Sequence, residues 1–567
     1  MFNGKAVDTS VRGILVRPQG LLTSFILAMA VLAATLVYLG RLPGVDENAY
    51  PVFMQQVLYD DRLHSLAMLA ALLIAMLLVT NQAVASSVGR LADAVGAFPV
   101  RTCAMMLVVL AIGAMWVYQG FPYSMDEYAP LLQARAFAEG NVAVQYPAAL
   151  LDLIVYPAYQ GHFILVNNDT GHAMSAYWPG LAILMAPFAF LQLDSVLNPA
   201  LSALALWLIG DLAARLGGDN RYRGWAMLAA IASPQFTMNA VSFYAMPGLL
   251  ALNLLYFWLL LRPGRRPALL AGLTGGLALV MINPVPHALF ALPCLLWMLL
   301  DTGRRRQLLW VGLGYLPIAM VIGLGWPWLT SELGMVRTSG ASPELVASAG
   351  FFQEWLVRLQ GIFTLPTEDI MRARWYASWK AWIWMAPGLA VLPWMGRWRG
   401  QAFWVMASAL GLSYVFYFFV PYDQGYGWGY RYIHPAWGFF PVFGAIAIAH
   451  PVSGLRRLGT VLVLAGVIAT PVFAWIAHER VEGALAKRIE APVAGNSVVF
   501  VNLPKTPPNI ELVQNYPGMK NTMYLISRGD ELDSQLMGML WPQASRVQRD
   551  DRGSLWIVPR STAEASQ

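Results

Sequence analysis

The sequence predicts an all-α, polytopic membrane protein of about thirteen transmembrane helices, with amphipathic helices on its outer face and a small C-terminal α/β domain. Three observations carry that prediction. Of 567 residues, 58% are hydrophobic and only 12% charged, whereas a soluble domain carries about a quarter charged residues. The apolar residues gather in runs near the ~20 residues that cross a bilayer, and mean hydropathy is +0.53. The cations form short clusters between those runs, the pattern produced by the positive-inside rule. The net charge of +6 therefore reports topology, not nucleic-acid binding. The two cysteines, Cys103 and Cys294, lie in or beside apolar runs, which rules out a disulfide framework, and neither has metal-ligand spacing.

Taken in order, residues 21–38 follow Lys5, Arg12 and Arg17 and are long enough to span, so they read as a first transmembrane helix with a cytoplasmic N-terminus and not as a cleaved signal peptide. Runs at 65–85 and 103–118 follow. The loop between the first two is acidic (Asp46, Glu47, Asp60, Asp61), and the next carries Arg90 and Arg101, which places residue 119 onward outside. Residues 119–177 form a first outer segment, too apolar for a free loop and interrupted by Pro122, Pro130, Pro147 and Pro157. Helical spacing between Leu131 and Glu139 predicts a helix lying on the membrane surface. The short apolar stretch 177–191 reads as re-entrant or interfacial, because a crossing there would move Arg215, Arg221 and Arg223 outside.

Spans then alternate near 196–214, 225–241, 247–261, 268–282, 287–300 and 309–329, with Arg262, Arg265, Arg266 and Arg304 to Arg306 inside. A second outer segment, 330–378, carries charges of both signs. Four more spans lie near 381–395, 402–420, 433–450 and 460–476. Residues 1–477 thus make a transmembrane domain. In 478–567 the stretches SVVFVNL, TMYLISR and SLWIVP read as strands and 531–540 as a helix, forming a small outer α/β domain.

The residues that stand out are Asp126 and Glu127, adjacent acids just past the end of an apolar run. Such a pair can act as general base toward a hydroxyl or hold a divalent metal through oxygen. The bland alternative is a solvated pair capping the helix that begins near Pro130. His162, Asp169 and His172 lie in the same segment, too irregularly spaced to read as a metal set, and no metal ligand is assigned.

The pattern Asp126-Glu127, then LLQARAFAEG, then YWPG before an apolar run, resembles bacterial GT-C membrane glycosyltransferases, the branch holding protein O-mannosyltransferases and aminoarabinose transferases of lipid A. The stretch GYGWGYRYIHP (425–435) and the outer α/β tail resemble the same branch, so the likeness runs in order from Asp126 to the C-terminus on short motifs. It implies that Asp126 is the catalytic base, with Glu127 orienting it or the substrate. It implies a polyprenyl-phosphate sugar donor and a cell-envelope acceptor, at the periplasmic face of an inner membrane among its lipids. No nucleotide-binding loop competes with that donor. Two departures are Tyr128 and Pro130 directly after the acids, where many relatives have a Tyr a few residues on, and two spans ahead of the one leading into the loop.

A lipid-phosphate leaving group needs outer-face cations near the membrane. Arg431, flanked by Tyr430 and Tyr432, is the first choice, then Lys380, Arg372 and Arg374. The alternative for Arg431 is snorkelling to the interface. Asn283 and His287 flank two prolines at an outer turn, either facing the cavity or completing the turn. Tyr177, Tyr430 and His434 complete the substrate-binding candidates. Rival readings are a transporter or flippase of a lipid-linked sugar, a lipid-linked-oligosaccharide polymerase or ligase, and a non-catalytic assembly subunit. The sequence sets neither sugar, acceptor nor oligomeric state.

Overall fold

The computed structural model describes residues 61–335, 363–396, 398–420, 427–450, 455–492, 496–503, 510–517 and 522–559. The expected span at 21–38 and most of 330–378 lie outside these. Among the described residues, six helices are long and apolar enough to cross a membrane: Asp61–Thr80, Pro99–Tyr118, Asp194–Gly217, Arg305–Glu332, Gln401–Phe419 and Arg456–Leu485. Gly180–Phe190, Met246–Leu260, Val285–Leu300 and Phe439–Ala449 are shorter and equally apolar. Large side chains such as Leu77, Val100, Val321 and Leu316 point out of the protein, as they do on lipid-facing surfaces, where burying apolar groups against protein brings no hydrophobic gain over lipid.

We label α1 (Asp61–Thr80), α2 (Gln82–Ala97), α3 (Pro99–Tyr118) and α4 (Met125–Ala138). The expected loop between the second and third spans is the helix α2. It packs on α7 (Arg221–Ile231) through Gly96, whose missing side chain lets it touch the Gly224 backbone. Small residues allow such close approach between helices. Strands β1 (Val144–Gln145), β2 (Ile164–Asn167) and β3 (His172–Ser175) form an antiparallel sheet in the order β1-β3-β2 within residues 119–177.

Two expectations need correction here. The helix expected from Leu131 on the membrane surface starts at Met125, and most of it is buried beneath this small sheet and the C-terminal strands. Its burial comes from long-range partners that no local periodicity reveals. The run expected as one span at 225–241 is broken. Helix α7 stops at Ile231, Ser233 and Pro234 interrupt it, and α8 (Pro234–Ala240) restarts with Ser233, Gln235, Thr237 and Asn239 all buried. Proline removes the donor that would continue a helix, and two of the buried amides, Gln235 and Asn239, hold a loop of the candidate active site.

Helices α5 (Gly180–Phe190), α6 (Leu197–Gly217), α9 (Met246–Leu260), α10 (Arg265–Leu279), α11 (Val285–Leu300), α12 (Arg305–Ile318) and α13 (Gly325–Glu332) follow, with a π-helical turn at Ala319–Leu324 after Pro317. The rest are α14 (Glu368–Trp384), α15 (Gln401–Phe416), α16 (Phe439–Ala449) and α17 (Arg456–Leu485). The C-terminal stretch forms a four-stranded sheet in the order β5-β4-β7-β6, from β4 (Asn496–Val501), β5 (Thr522–Ile526), β6 (Ser545–Asp550) and β7 (Gly553–Val558), with α18 (Asp530–Leu540) connecting β5 to β6. Strand β6, SRVQRD, carries no apolar alternation and exposes Val547, which is why the sequence hides it.

Candidate active site

Helix α3 ends at Tyr118, and the chain turns through Gln119 and Gly120, both with positive φ. Ser124 then adopts the extended conformation of an N-cap, and α4 begins. Asp126 and Glu127 fall in its first turn, where the helix dipole favours anions. Neighbouring residues on a helix diverge by about 100°, so the two acids have separate fates.

Glu127 is fully buried. Its carboxylate accepts from the Tyr123 amide at 3.0 Å and the Ser124 hydroxyl at 3.3 Å through one oxygen, and from the Phe243 amide at 3.0 Å through the other. Burial pushes its pKa up to about 7 against the pull of these hydrogen bonds. Glu127 fastens the start of α4 to the turn after α8, a structural tie at the position where the resemblance implies a residue that orients Asp126 or the substrate.

Asp126 faces the other way. One carboxylate oxygen accepts from Arg431 Nη1 at 2.6 Å and the other from the Tyr177 hydroxyl. Arg431 is 4% exposed and its guanidinium lies 4.9 Å over the Tyr244 ring. The Tyr244 and Ser124 hydroxyls lie 3.0 Å apart, within hydrogen-bond reach. The loop carrying Arg431 depends on glycine. Gly427 has φ +156° and Gly429 φ +83°, and a Cβ would lie 2.6 Å from Arg431 Cδ at the first and 2.7 Å from Gln235 Oε1 at the second. Buried amides of α8 hold this loop: Gln235 donates to the Tyr430 carbonyl at 3.1 Å and Asn239 to the Trp428 carbonyl at 2.7 Å. The polar stretch that breaks the expected span therefore holds the loop that carries Arg431.

The structure thus joins three of the sequence candidates, Asp126, Tyr177 and Arg431, with the Tyr430 backbone as support. The others are placed differently. Lys380 is buried and pairs with Asp61 at 3.2 Å, while Asp61 also receives Tyr376 at 3.0 Å and Trp384 at 3.1 Å. Lys380 remains close enough to Arg431 for the two charges to repel. Arg374 is fully buried and donates to the carbonyls of Tyr417 at 2.8 Å and Val420 at 3.2 Å. Its guanidinium fastens the end of α15, because a terminal turn leaves carbonyls to satisfy. Arg372 sits on an exposed face, paired with Glu368 one turn away.

His287 does not face a cavity. It is fully buried between α9, α11 and α12, with Nδ1 2.7 Å from Asn253 Oδ1 and Nε2 2.5 Å from the Tyr315 hydroxyl. Asn283 is exposed and caps the Val285 amide at 3.1 Å. His434 is buried and stacks on Trp437. Among the described residues, no group of three or more His, Cys, Asp or Glu side chains comes together. The two acids of α4 do not suit a shared metal either, since Asp126 is turned to Arg431 and Tyr177 and Glu127 to backbone amides.

Asp61, Tyr244, Gln235 and Asn239 are absent from the candidates that the sequence nominates. Asp61 reads there as one of several loop acids, although a carboxylate at the first residue of an apolar helix with a histidine three residues on is a recognisable signal of burial.

No protein-family model matches the chain, and no curated protein does. Solved structures do. The crystal structure of ArnT from Cupriavidus metallidurans in the apo state superposes with a TM-score of 0.50 at 14% identity, covering 82% of this chain and 98% of that one. The chain shares the fold of ArnT. A second crystal structure of ArnT from that organism, bound to undecaprenyl phosphate, gives a TM-score of 0.49 at 14% identity over 81% and 97% of the two chains. The likeness is one of fold.

Proposed function

We propose that this protein is an inverting glycosyltransferase that moves a sugar from a polyprenyl-phosphate donor to a hydroxyl of a cell-envelope acceptor at the periplasmic face of the inner membrane. The observation that carries the proposal is the Asp126–Arg431 pair, a carboxylate and a guanidinium that meet at 2.6 Å with little exposure of either side chain. One group suits the proton to be removed, and the other suits the phosphate to be released.

In the reaction, Asp126 takes the proton of the acceptor hydroxyl as that oxygen attacks the anomeric carbon. The bond from that carbon to the phosphate oxygen breaks, and its electron pair leaves with the polyprenyl phosphate. Arg431 stabilises the negative charge gathering there, an effect strongest in a water-poor site. A single displacement inverts the anomeric centre. The Tyr177 hydroxyl donates to Asp126 and keeps its carboxylate aimed. In the resting protein base and cation neutralise each other, so the donor phosphate must take Arg431 over before Asp126 is released to act.

The test is mass spectrometry of envelope lipids, glycans and glycoproteins from a deletion strain complemented with wild-type protein or Asp126→Ala. A single-sugar increment missing from both the deletion and the variant, and restored by wild type, is the expected result. An unchanged envelope in the deletion strain, or full restoration by Asp126→Ala, would rule the proposal out.

A further inference from the structure

We infer that the cleft between the first outer segment and the C-terminal sheet is a binding site for a neutral saccharide, the body of the acceptor remote from its reacting hydroxyl. The acceptor role rests on the transferase reading above, but the binding site does not. The cleft has a volume of about 310 Å³, at the lower end of the ~300–1,000 Å³ of small-ligand pockets and suited to a short saccharide. It lies where β1 approaches the starts of β4 and β5.

Its chemistry narrows the ligand. Tyr146, Tyr516 and Trp541 offer aromatic surface, and Gln145, Asn496 and Thr522 offer amides and hydroxyls. Among the described residues, no charged side chain lines it. Against this described lining, a phosphate, a carboxylate or a cation would find no counter-charge for the hydration it loses, which is costly. Gln145 and Thr522 already have one partner each, the Thr170 carbonyl and the Ser497 hydroxyl, but a lipid tail would leave their remaining hydrogen-bonding positions unused. A peptide added as a strand needs an open sheet edge. Here β1 has only two residues, and the Tyr524 amide and carbonyl on the β5 edge are already paired with the Asn515 side chain, each at 2.8 Å. Aromatic faces beside uncharged hydrogen-bonding groups remain, and these match the apolar faces and hydroxyl edges of a sugar.

The floor of the cleft is also the clamp on the catalytic helix. The Asn515 carbonyl accepts from the hydroxyls of Tyr128 and Tyr146, both at 2.6 Å, and the Asn515 amide donates to Tyr128 at 3.0 Å. On its two sides, Gln514 donates to the Pro122 carbonyl at 2.7 Å and the Tyr516 ring carries Arg135 at 3.9 Å. Residues 514–516 thus grip α4 before and after Asp126. Tyr128 is two residues beyond Asp126, about 200° around the helix, so the cleft opens behind the catalytic face. Occupancy there supplies binding energy from a non-reacting part of the substrate and reaches Asp126 through Tyr128.

The test uses full-length protein in lipid nanodiscs and saturation-transfer NMR with three neutral trisaccharides (maltotriose, mannotriose and tri-N-acetylchitotriose), with trigalacturonate as the charged control and a neutral Thr/Val hexapeptide as the strand control. At least one neutral trisaccharide should give transfer that falls severalfold in Trp541→Ala and in the cleft-filling Thr522→Trp, and stays unchanged in Asp126→Asn. Transfer from none of the three overturns the inference, as do signals surviving both cleft variants or a stronger signal from either control. Saccharide binding that persists alongside a failed transfer assay would remove the transferase reading and leave the cleft assignment standing.

Discussion

Asp126 and Arg431, 305 residues apart in the chain, meet at 2.6 Å with side-chain exposures of 13% and 4%. A pair this enclosed is a poor source of net stability, since desolvation offsets most of its attraction. Breaking it leaves a buried charge alone. On the proposed function, each group is held ready for a partner that replaces the other.

Undecaprenyl phosphate binding separates the two roles. Asp126→Asn removes the anion that competes for Arg431, so the variant should bind the lipid phosphate severalfold tighter while losing transfer. Arg431→Gln should bind it at least tenfold more weakly. Titration of detergent-solubilised protein followed by thermophoresis measures both, and weaker binding by Asp126→Asn would remove the competition.

Glu127 predicts a pH effect with a definite sign. Its folded pKa of about 7 lies above the ordinary value of 4.5. Ionising it in the folded protein costs more than in the unfolded chain, so its contribution is most favourable at and below pH 4.5 and declines as pH rises toward 7, by about 3 kcal/mol at most. Glu127→Gln does not titrate and should flatten that decline in the apparent Tm between pH 5 and 7. It should also lower Tm throughout, because an amide NH2 set against backbone donors leaves one of them unsatisfied at about 1–3 kcal/mol. A Tm that rises with pH over this window in wild type relative to the variant would contradict the account.

Lys380 and Asp61 are buried to 2% and 3% exposure. Lys380→Met strands a buried carboxylate and should cost about 3–5 kcal/mol, whereas Lys380→Met with Asp61→Leu should regain much of that loss. With its charge spent on Asp61, Lys380 leaves the phosphate to Arg431, so the double variant should keep transfer within about tenfold. Thermal unfolding by intrinsic fluorescence, with transfer measured on the same preparations, checks both halves. A stable double variant without activity would return Lys380 to the donor site.

Much of the architecture is legible in the sequence because the bilayer imposes long apolar runs and sorts cations between them. The core of the candidate site is partly legible too. Asp126, Tyr177 and Arg431 stand out as polar groups at the borders of such runs. The failures share a cause. Glu127 looks like its neighbour in sequence, yet the Phe243 amide 116 residues away decides its role. Gln235 and Asn239 sit in a run apolar enough to pass for a span, and their link to the carbonyls of Tyr430 and Trp428 forms only when residues 427–431 return to them. His287 suggests a site because it flanks prolines at an expected turn, but Asn253 and Tyr315 absorb both its ring nitrogens inside a helix bundle. Local pattern finds a polar residue in an apolar setting. Whether it serves substrate or packing depends on partners far away in the chain.

In the proposed reaction Asp126 removes the acceptor proton. The most direct measurement is transfer of isotope-labelled sugar from the lipid-linked pool to envelope acceptor in membrane vesicles, comparing wild type with Asp126→Asn at equal protein amounts. Loss of a general base lowers turnover by about 10²–10⁴-fold, and the account predicts a fall in that range with lipid-phosphate binding intact. Transfer near the wild-type rate in Asp126→Asn would contradict it.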